Sequence, residues 1–359
     1  MNREHPEQDA GGEAAGLLDR LAAGPVICAE GYLFELERRG YLQAGAFVPE
    51  VVLEHPEKVT ELHQEFVHAG SDVVEAFTYY GHREKLRLVD MEHLLEPLNR
   101  QALALAADVA TRTGTLLAGN VCNTNAYHPG DPDSHAKVRQ MFTEQVGWAA
   151  EAGVDFVIGE TLRYLGEAEI ALDVIREAGL PSVITLVADR RGLSREGVPM
   201  TEACQRLADA GAEVVGLNCN RGPDTMLPLL AELVTALSVP VAALPVPYRT
   251  TTAQPTFQSL RDPAADVSAL PNGVPFPSAL DPFTCNRYEI AEFTRRAYDA
   301  GVRYLGLCCG AAPHHVRAMA EALGRTPPAS RYSTDMSKHA YFGTDASLLA
   351  TNREYTNQL

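Results

Sequence analysis

The sequence predicts a (β/α)8 barrel, the TIM barrel, formed as a single domain. The first observation is a phrase that recurs along the chain, in which Ala-Gly or a close equivalent ends a helix and a β-branched, apolar run follows. Its clearest copies are HAGSDVVEAFT (68–78), EAGVDFVIGET (151–161), DAGAEVVGLNC (209–219) and DAGVRYLGLCC (299–309). Glycine ends helices because it accepts the left-handed conformation, and continuous apolar runs are typical of buried parallel strands. The second observation is that helix-period segments separate these runs, as they do in a barrel.

Eight strands are predicted in chain order. Weaker copies of the phrase fill the gaps between the clear ones, at 24–31, 114–122, 181–188 and 240–246. Helical periodicity is clearest at 56–70, 135–153, 166–179, 200–211 and 287–301. A doubly wound sheet is the alternative, but that fold more usually carries a phosphate-binding glycine fingerprint after its first strand, and CAEGYLF has none. The barrel is therefore the preferred fold.

Segments outside this pattern set the domain boundaries. We expect a flexible N-terminus over 1–15, the barrel over 16–325 and a short C-terminal arm over 326–359. The segment 247–285 follows the seventh strand and is long and rich in proline and polar residues, which predicts an elaborated loop or lid near the active face. The arm begins with prolines and carries aromatic residues, so it is expected to pack on this or another subunit.

Composition narrows the possible functions. The chain carries 47 acidic and 30 basic residues, a formal net charge of −17, and no lysine- or arginine-rich block, so it is not expected to bind nucleic acid. The first residues lack the apolar core of a signal peptide, and no apolar run is long enough to span a bilayer, which predicts a cytoplasmic protein without membrane contact. Seven cysteines in such a protein favour thiolate chemistry over structural disulfides.

Three of the cysteines lie at predicted strand ends. Cys219 ends the sixth strand, and Cys308 and Cys309 end the eighth. Active sites of (β/α)8 barrels lie where strands meet the following loops, so these thiols are expected to converge, and Gly310 permits the turn that lets both neighbours reach one ion. Three Cys ligands leave the fourth position of zinc open, as in catalytic sites. A buried apolar pair and a vicinal disulfide are the alternatives for Cys308 and Cys309.

A zinc ion held by three thiolates has its own predicted chemistry. It is a poor source of hydroxide and a good partner for one more thiolate, which predicts a thiol substrate. Such a sulfur can attack a methyl group on a quaternary nitrogen or a sulfonium, because the leaving group departs neutral. Aromatic side chains would hold that cation through cation–π contacts.

The chain resembles the zinc-dependent homocysteine S-methyltransferases, most closely the members that use betaine. The matching motifs are GYLFELERRGY (31–41), the segment 49–86, GVDFVIGET (153–161), GLNCN (216–220) and GVRYLGLCCG (301–310), and they cover roughly residues 15–325. The resemblance implies that Cys219, Cys308 and Cys309 are the zinc ligands. It also implies catalytic roles for Tyr80, near the metal and the donor, and for Glu160, toward the amino group of homocysteine.

Departures from the family pattern fall on the substrate pockets. The family aspartate after the first strand is Ala29 here, and Glu30 is a candidate substitute, although strand neighbours normally face opposite sides. A family tryptophan that walls the betaine pocket is Phe47, and the tyrosine after the catalytic glutamate is Thr161. The residues expected to bind substrate are Glu30, Gly31, Phe47, Tyr79, Tyr80, Glu160, Thr161 and Asn218.

The leading hypothesis is a Zn²⁺-dependent S-methyltransferase that moves a methyl group from a betaine-like quaternary ammonium donor to a zinc-bound thiolate, homocysteine, giving methionine. A sulfonium donor such as S-methylmethionine or dimethylsulfoniopropionate, or another thiol acceptor, is the alternative within the same chemistry. A non-catalytic zinc barrel that binds a cationic osmolyte is the alternative from another class, suggested by Ala29. A homo-oligomer, dimeric or higher, is also expected.

Overall fold

The computed structural model forms a closed barrel of eight parallel strands. It describes residues 15–262, 264, 266–268, 270, 273–344, 355, 356 and 358. The strands are β1 Val26–Ala29, β2 Val73–Glu75, β3 Leu116–Cys122, β4 Phe156–Leu162, β5 Ser182–Leu186, β6 Val214–Asn218, β7 Val241–Leu244 and β8 Tyr304–Leu307. Each pairs with its neighbour in the sequence, and β8 pairs with β1. All eight predicted strands are present, and the doubly wound alternative is wrong.

Helices surround the strands. Those of the described chain are α1 Leu17–Ala23, α2 Tyr32–Arg38, α3 Val51–Glu54, α4 Pro56–Ala69, α5 Arg83–Arg87, α6 Leu95–Thr113, α7 Pro132–Glu151, α8 Leu165–Glu177, α9 Met200–Asp209, α10 Pro223–Ala236, α11 Arg287–Ala300 and α12 Pro313–Ala322. The five predicted helical segments correspond to α4, α7, α8, α9 and α11. The glycines of the recurring phrase, Gly70, Gly153, Gly211 and Gly301, all have positive φ (115°, 73°, 101° and 116°), which explains why the phrase marks each helix-to-strand junction.

Two apolar layers stabilise this architecture. Alternate strand residues fill the barrel interior, among them Cys28, Phe156 and Tyr304, while their neighbours pack outward against the helices. Helix α1 joins the interior cluster through Leu17 and Leu21. Arg20 of α1 donates a hydrogen bond to the carbonyl of Gly114, just before β3. Because α1 covers the amino ends of the strands, the carboxyl ends are left for the site.

The expected division into N-terminus, barrel and C-terminal arm stays a prediction. The expected N-terminus, 1–15, lies outside the described residues except for Ala15. The described residues of 247–285 include short 3₁₀ turns at Phe257–Ser259 and Asp281–Phe283. In the described beginning of the C-terminal arm, Pro327 lies next to Gly70 at the end of α4. No helix in the described ranges has the length and apolar character needed to cross a membrane. The cytoplasmic location and the homo-oligomer stay predictions.

Candidate active site

Three cysteine thiols meet at the carboxyl ends of β6 and β8. The Sγ atoms of Cys219 and Cys309 lie 3.9 Å apart, those of Cys308 and Cys309 lie 3.8 Å apart, and all three fall within 4.8 Å of one another. Zinc–sulfur bonds of about 2.3 Å in a tetrahedron would separate neighbouring sulfurs by about 3.8 Å. The three thiols therefore have the chemistry and the spacing to hold such an ion.

The backbone turns where the two neighbouring cysteines face the same point. Gly310 has a left-handed conformation (φ 96°), and a Cβ there would lie 2.3 Å from the Tyr248 hydroxyl. Arg38 supports this turn by donating hydrogen bonds to the Gly310 carbonyl (3.3 Å) and to the Tyr248 hydroxyl (2.9 Å). Glycine is therefore the residue that fits after Cys309.

Unusual backbone conformations are concentrated around the cysteines. In the described chain, seven non-glycine residues have positive φ, and five of them surround this site: Phe47, Tyr80, Thr161, Cys219 and Asn220. The left-handed region is especially unfavourable for a β-branched residue such as Thr161, whose N–H is held by Asn218 Oδ1 at 2.9 Å. Such strain is typical of functional sites, where the surrounding structure fixes how side chains are presented.

The thiols differ in acidity. Contact with Cys308 and then with Cys309 lowers the pKa of Cys219 well below its usual value. Contact with Cys219 raises the pKa of Cys308 and of Cys309. One thiol of the cluster therefore ionises more readily than the others, and a bound cation would favour ionisation of all three.

Three buried carboxylates lie beside the thiols, joined by two amides. Asn120 Nδ2 donates to Glu75 (2.5 Å) and to Glu160 (2.7 Å). Asn218 Nδ2 lies 3.1 Å from Glu160, 3.4 Å from Glu30 and 3.8 Å from Cys308 Sγ. The carboxylates are spaced by amides, which fixes their positions without neutralising them. The three carboxylates and Asn120, together with Tyr79, Cys308 and Cys309, line a small cavity, which we call the acidic cavity.

Several acceptor atoms in the acidic cavity have no partner. Glu30 Oε1, Glu75 Oε2 and Asn120 Oδ1 are buried and accept no hydrogen bond. Burial raises the pKa of Glu30 and of Glu75 well above the usual value, and raises that of Glu160 to about 7. Unpaired buried acceptors and clustered carboxylates are costly by themselves. A ligand with several N–H donors and a positive charge would relieve both costs.

Strand alternation decides how Glu30 reaches this cavity. Ala29 packs in the outer layer toward the helices, whereas Cys28 faces the barrel interior. Glu30 follows the same period of two and points inward, with 7% of its surface exposed. Glu30 therefore lines the acidic cavity and Ala29 does not; that Glu30 takes the place of the family aspartate stays a prediction.

A second cavity on the other side of the cysteines is aromatic. We call it the aromatic cavity, because its wall contains the rings of Phe34, Phe47, Tyr79, Tyr80, Phe257 and Phe276. The other wall residues are Leu33, Thr161, Arg163, Val187, Cys219, Asn220, Gln258 and Cys309. Phe257 and Phe276 come from the 247–285 connection and contact each other edge to face, with ring centroids 4.9 Å apart. Burial raises the pKa of Tyr79 and of Tyr80, so both phenols stay neutral at pH 7.

Most residues chosen from the sequence come together here. Glu30, Glu160, Phe47, Tyr79, Tyr80, Thr161 and the three cysteines line one cavity or the other, and Asn218 joins the carboxylates from behind. Gly31 differs: it lies against Ala311, whose carbonyl oxygen would be 2.6 Å from a Cβ at position 31. Sequence reasoning missed Glu75 and Asn120, although each is a polar residue inside an otherwise apolar strand run. It also missed Arg163, Phe257 and Phe276.

A barrel with three thiols at its carboxyl rim defines a class of methyltransferase, and the sequence places the chain within it. Residues 28–323 match the profile of the homocysteine S-methyltransferase family. The chain belongs to this family of enzymes.

Individual relatives agree with this assignment. Betaine–homocysteine S-methyltransferase 1 of Danio rerio is 36% identical over 340 residues, covering 93% of this chain and 81% of the relative. S-methylmethionine–homocysteine S-methyltransferase of Pongo abelii is 34% identical over 344 residues, covering 93% and 87%. The metallated form of the homocysteine methyltransferase MmuM from Escherichia coli has a similar fold, with a TM-score of 0.65, 18% identity, and coverage of 84% of this chain and 98% of that one.

Proposed function

We propose that this enzyme transfers a methyl group from a betaine-like quaternary ammonium donor to the thiol of homocysteine, giving methionine, with zinc held by Cys219, Cys308 and Cys309. One observation carries the proposal: the cysteine cluster lies between two cavities of opposite character. Cys308 and Cys309 line the acidic cavity, and Cys219 and Cys309 line the aromatic cavity. A thiol substrate bound in the acidic cavity would meet, at the cysteines, a cationic methyl donor bound in the aromatic cavity.

The metal has one role in this scheme. When bound, zinc would supply a positive charge that lowers the pKa of a substrate thiol in contact with it while leaving the sulfur nucleophilic. The protein holds the ligands in place through the turn at Gly310 and through Asn218, which lies 3.8 Å from Cys308 Sγ.

The acidic cavity suits the amino group of the acceptor. A primary ammonium has three N–H donors, and three unpaired acceptors face this cavity, Glu30 Oε1, Glu75 Oε2 and Asn120 Oδ1. Glu160 is joined to them through Asn120 and Asn218. We assign these carboxylates, with Glu160, to ammonium binding, which orients the acceptor with its sulfur toward the cysteines.

The aromatic cavity suits the methyl donor. Its rings, among them those of Tyr79, Tyr80 and Phe47, can hold an onium group by cation–π contact while excluding water. In the transfer the acceptor thiol loses its proton, a carbon–sulfur bond forms and the carbon–nitrogen bond breaks. The electron pair of that bond stays on nitrogen, so dimethylglycine departs as a neutral tertiary amine that the aromatic wall no longer attracts.

A sulfonium donor is a second candidate. It is favoured by the relative named S-methylmethionine–homocysteine S-methyltransferase, which is 34% identical. The chemistry is the same, since a thioether departs neutral as an amine does. Cation–π contacts accept either onium group, so the rings alone do not choose between them.

The testing experiment measures metal and products together. Purified enzyme is analysed for zinc per chain, then incubated with homocysteine and either glycine betaine, S-methylmethionine or dimethylsulfoniopropionate, and the products are identified by mass spectrometry. We expect one zinc per chain, and methionine with dimethylglycine from betaine. One zinc with methionine from the sulfonium donors alone would favour the second candidate. Absence of zinc, or of methionine with all three donors, would overturn the proposal.

A further inference from the structure

A third cavity adjoins the aromatic cavity on the side away from the cysteines. We call it the outer cavity. The two cavities share Arg163, Val187, Asn220, Gln258 and Phe276 in their walls. The aromatic cavity has a volume of about 90 Å³ and the outer cavity about 570 Å³. A donor whose onium group occupies the smaller space therefore extends its remaining atoms past Arg163 into the larger one.

The outer cavity is positively charged within a strongly acidic protein. Its wall carries four arginines, Arg163, Arg190, Arg191 and Arg195, and one acidic residue, Asp189. Asp189 is paired with Arg191 at 2.9 Å. Within the part of the chain that the structure describes, the other three arginines make no ion pair with a carboxylate, although the chain as a whole has a net charge of −17. Concentrated positive charge in a concave site favours an anionic ligand group.

Arg163 is the arginine of this group that also lines the aromatic cavity. It follows directly after β4 and two residues after Thr161, and its carbonyl accepts a hydrogen bond from the Arg195 N–H (2.9 Å). Among the described residues its guanidinium donates no hydrogen bond and makes no ion pair. Burial and Cys122 raise the pKa of the Tyr80 phenol, and the charge of Arg163 opposes them, so this charge acts on the wall of the aromatic cavity itself.

We infer that Arg163 binds the anionic group of a zwitterionic methyl donor, so that the enzyme selects onium carboxylates over onium compounds without an anion. The inference rests on the proposed function and narrows its donor class. The guanidinium can donate two parallel hydrogen bonds to a carboxylate. This holds the donor by its non-reacting end while the onium methyl points toward the cysteines.

The remaining arginines of the outer cavity also affect which methyl donors can bind. Arg190 and Arg195 add positive charge further out, so a donor with a second cationic group in the outer cavity is disfavoured. Thr161, which stands where the family has a tyrosine, is short and is hydrogen-bonded to Glu160 at 3.2 Å. The carboxylate contact that a tyrosine hydroxyl could have made is instead available from Arg163, which follows two residues later.

The test compares two quaternary ammonium compounds, one with a carboxylate group and one without an anionic group. Zinc-loaded wild-type enzyme and Arg163→Gln are assayed with homocysteine and glycine betaine, and tetramethylammonium is measured as a competitive inhibitor against betaine. Losing a charge-assisted bidentate contact predicts a rise of about 10- to 100-fold in the KM for betaine, with kcat changed less than threefold. The inhibition constant of tetramethylammonium should stay within twofold. Arg163→Lys should recover part of the lost affinity.

A matched control removes the same charge elsewhere. Arg139 lies on α7, where it pairs with Glu177 and Asp173. Arg139→Gln should leave the KM for betaine and the inhibition constant of tetramethylammonium unchanged. An unchanged KM for betaine in Arg163→Gln, or an equal loss for betaine and tetramethylammonium, would overturn the inference. Wild-type enzyme without methyl transfer from any donor would overturn the proposed function instead. In that case calorimetric binding of glycine betaine that Arg163→Gln weakens would still support the anionic subsite.

Discussion

The two cavities beside the cysteine cluster are built in different ways. The acidic cavity is formed mainly by strand ends: Glu75 closes β2, Asn120 lies in β3 and Glu160 in β4. The aromatic cavity depends on connections between elements, since Phe47 lies between α2 and α3, and Phe257 and Phe276 lie in the 247–285 segment. Strand positions are fixed by the barrel, whereas connections tolerate change.

This contrast suggests which substrate the fold itself determines. Residues on barrel strands are held by hydrogen bonds on both sides, so the acidic cavity, the proposed acceptor subsite, is set together with the fold. The donor subsite uses loop residues that can change without disturbing the strands. Enzymes of one family can therefore keep one acceptor and differ in donor, which agrees with relatives named for betaine and for S-methylmethionine.

The largest effect is expected when the thiol of Cys309, which lines both cavities, is removed. Cys309→Ala leaves two of three ligands, so we expect loss of bound zinc and a fall in activity of about 10³-fold or more. Metal analysis and a methionine assay measure both. Cys204→Ala is the control, because Cys204 is buried in α9 away from the site. Full zinc and full activity in Cys309→Ala would contradict the assignment of the shared thiol.

The next effect should be confined to the acceptor side. Glu75→Gln keeps the shape and the contact with Asn120 but removes a charge from the acidic cavity. We expect the KM for homocysteine to rise about 10- to 100-fold, because a charged partner of the ammonium is lost. The KM for betaine should change less than twofold. Exposed Glu57→Gln serves as control, and equal changes for both substrates would show that the two cavities are not separate subsites.

A smaller effect is expected on the donor side. Phe276→Ala removes one ring from the aromatic cavity. The KM for betaine should rise about 3- to 10-fold, which corresponds to the loss of one cation–π contact, while that for homocysteine stays constant. Phe283→Ala, in the same connection but outside the cavity wall, separates this effect from general disturbance of the segment. A rise confined to homocysteine would reverse our assignment of the two sides.

The fold could be predicted because its signals are local and repeated. Each left-handed glycine of the recurring phrase, such as Gly70 or Gly301, marks a junction that depends on a few neighbouring residues. Helices α6 and α10 were not among the segments with the clearest helical periodicity, and Pro228 interrupts the sequence pattern of α10. The fold prediction does not depend on these two helices, because eight strands in chain order already define a closed barrel.

Site residues could be predicted from the sequence only where they belong to a periodic strand or to a motif that resembles the family. The cysteine cluster follows from strand ends and a glycine turn. The role of Glu30 required knowing which face of β1 points inward, and the outer-layer packing of Ala29 decides that. Arg163 and Phe276 come together through loop conformation, for which the sequence carries no periodic signal. The proposed donor contacts are therefore visible only in the folded structure.

The smallest expected effect concerns stability of the metal-free protein and again uses Glu75→Gln. Burial raises the pKa of Glu75 well above the usual value, so the folded state binds more protons than the unfolded state above about pH 4.5. Stability therefore falls as pH rises through this range. The variant lacks this penalty, so its free energy of unfolding relative to the wild type should increase from pH 5 to pH 8. Urea unfolding at both pH values measures this, and a gain of equal size at pH 5 would place its origin in packing rather than in charge.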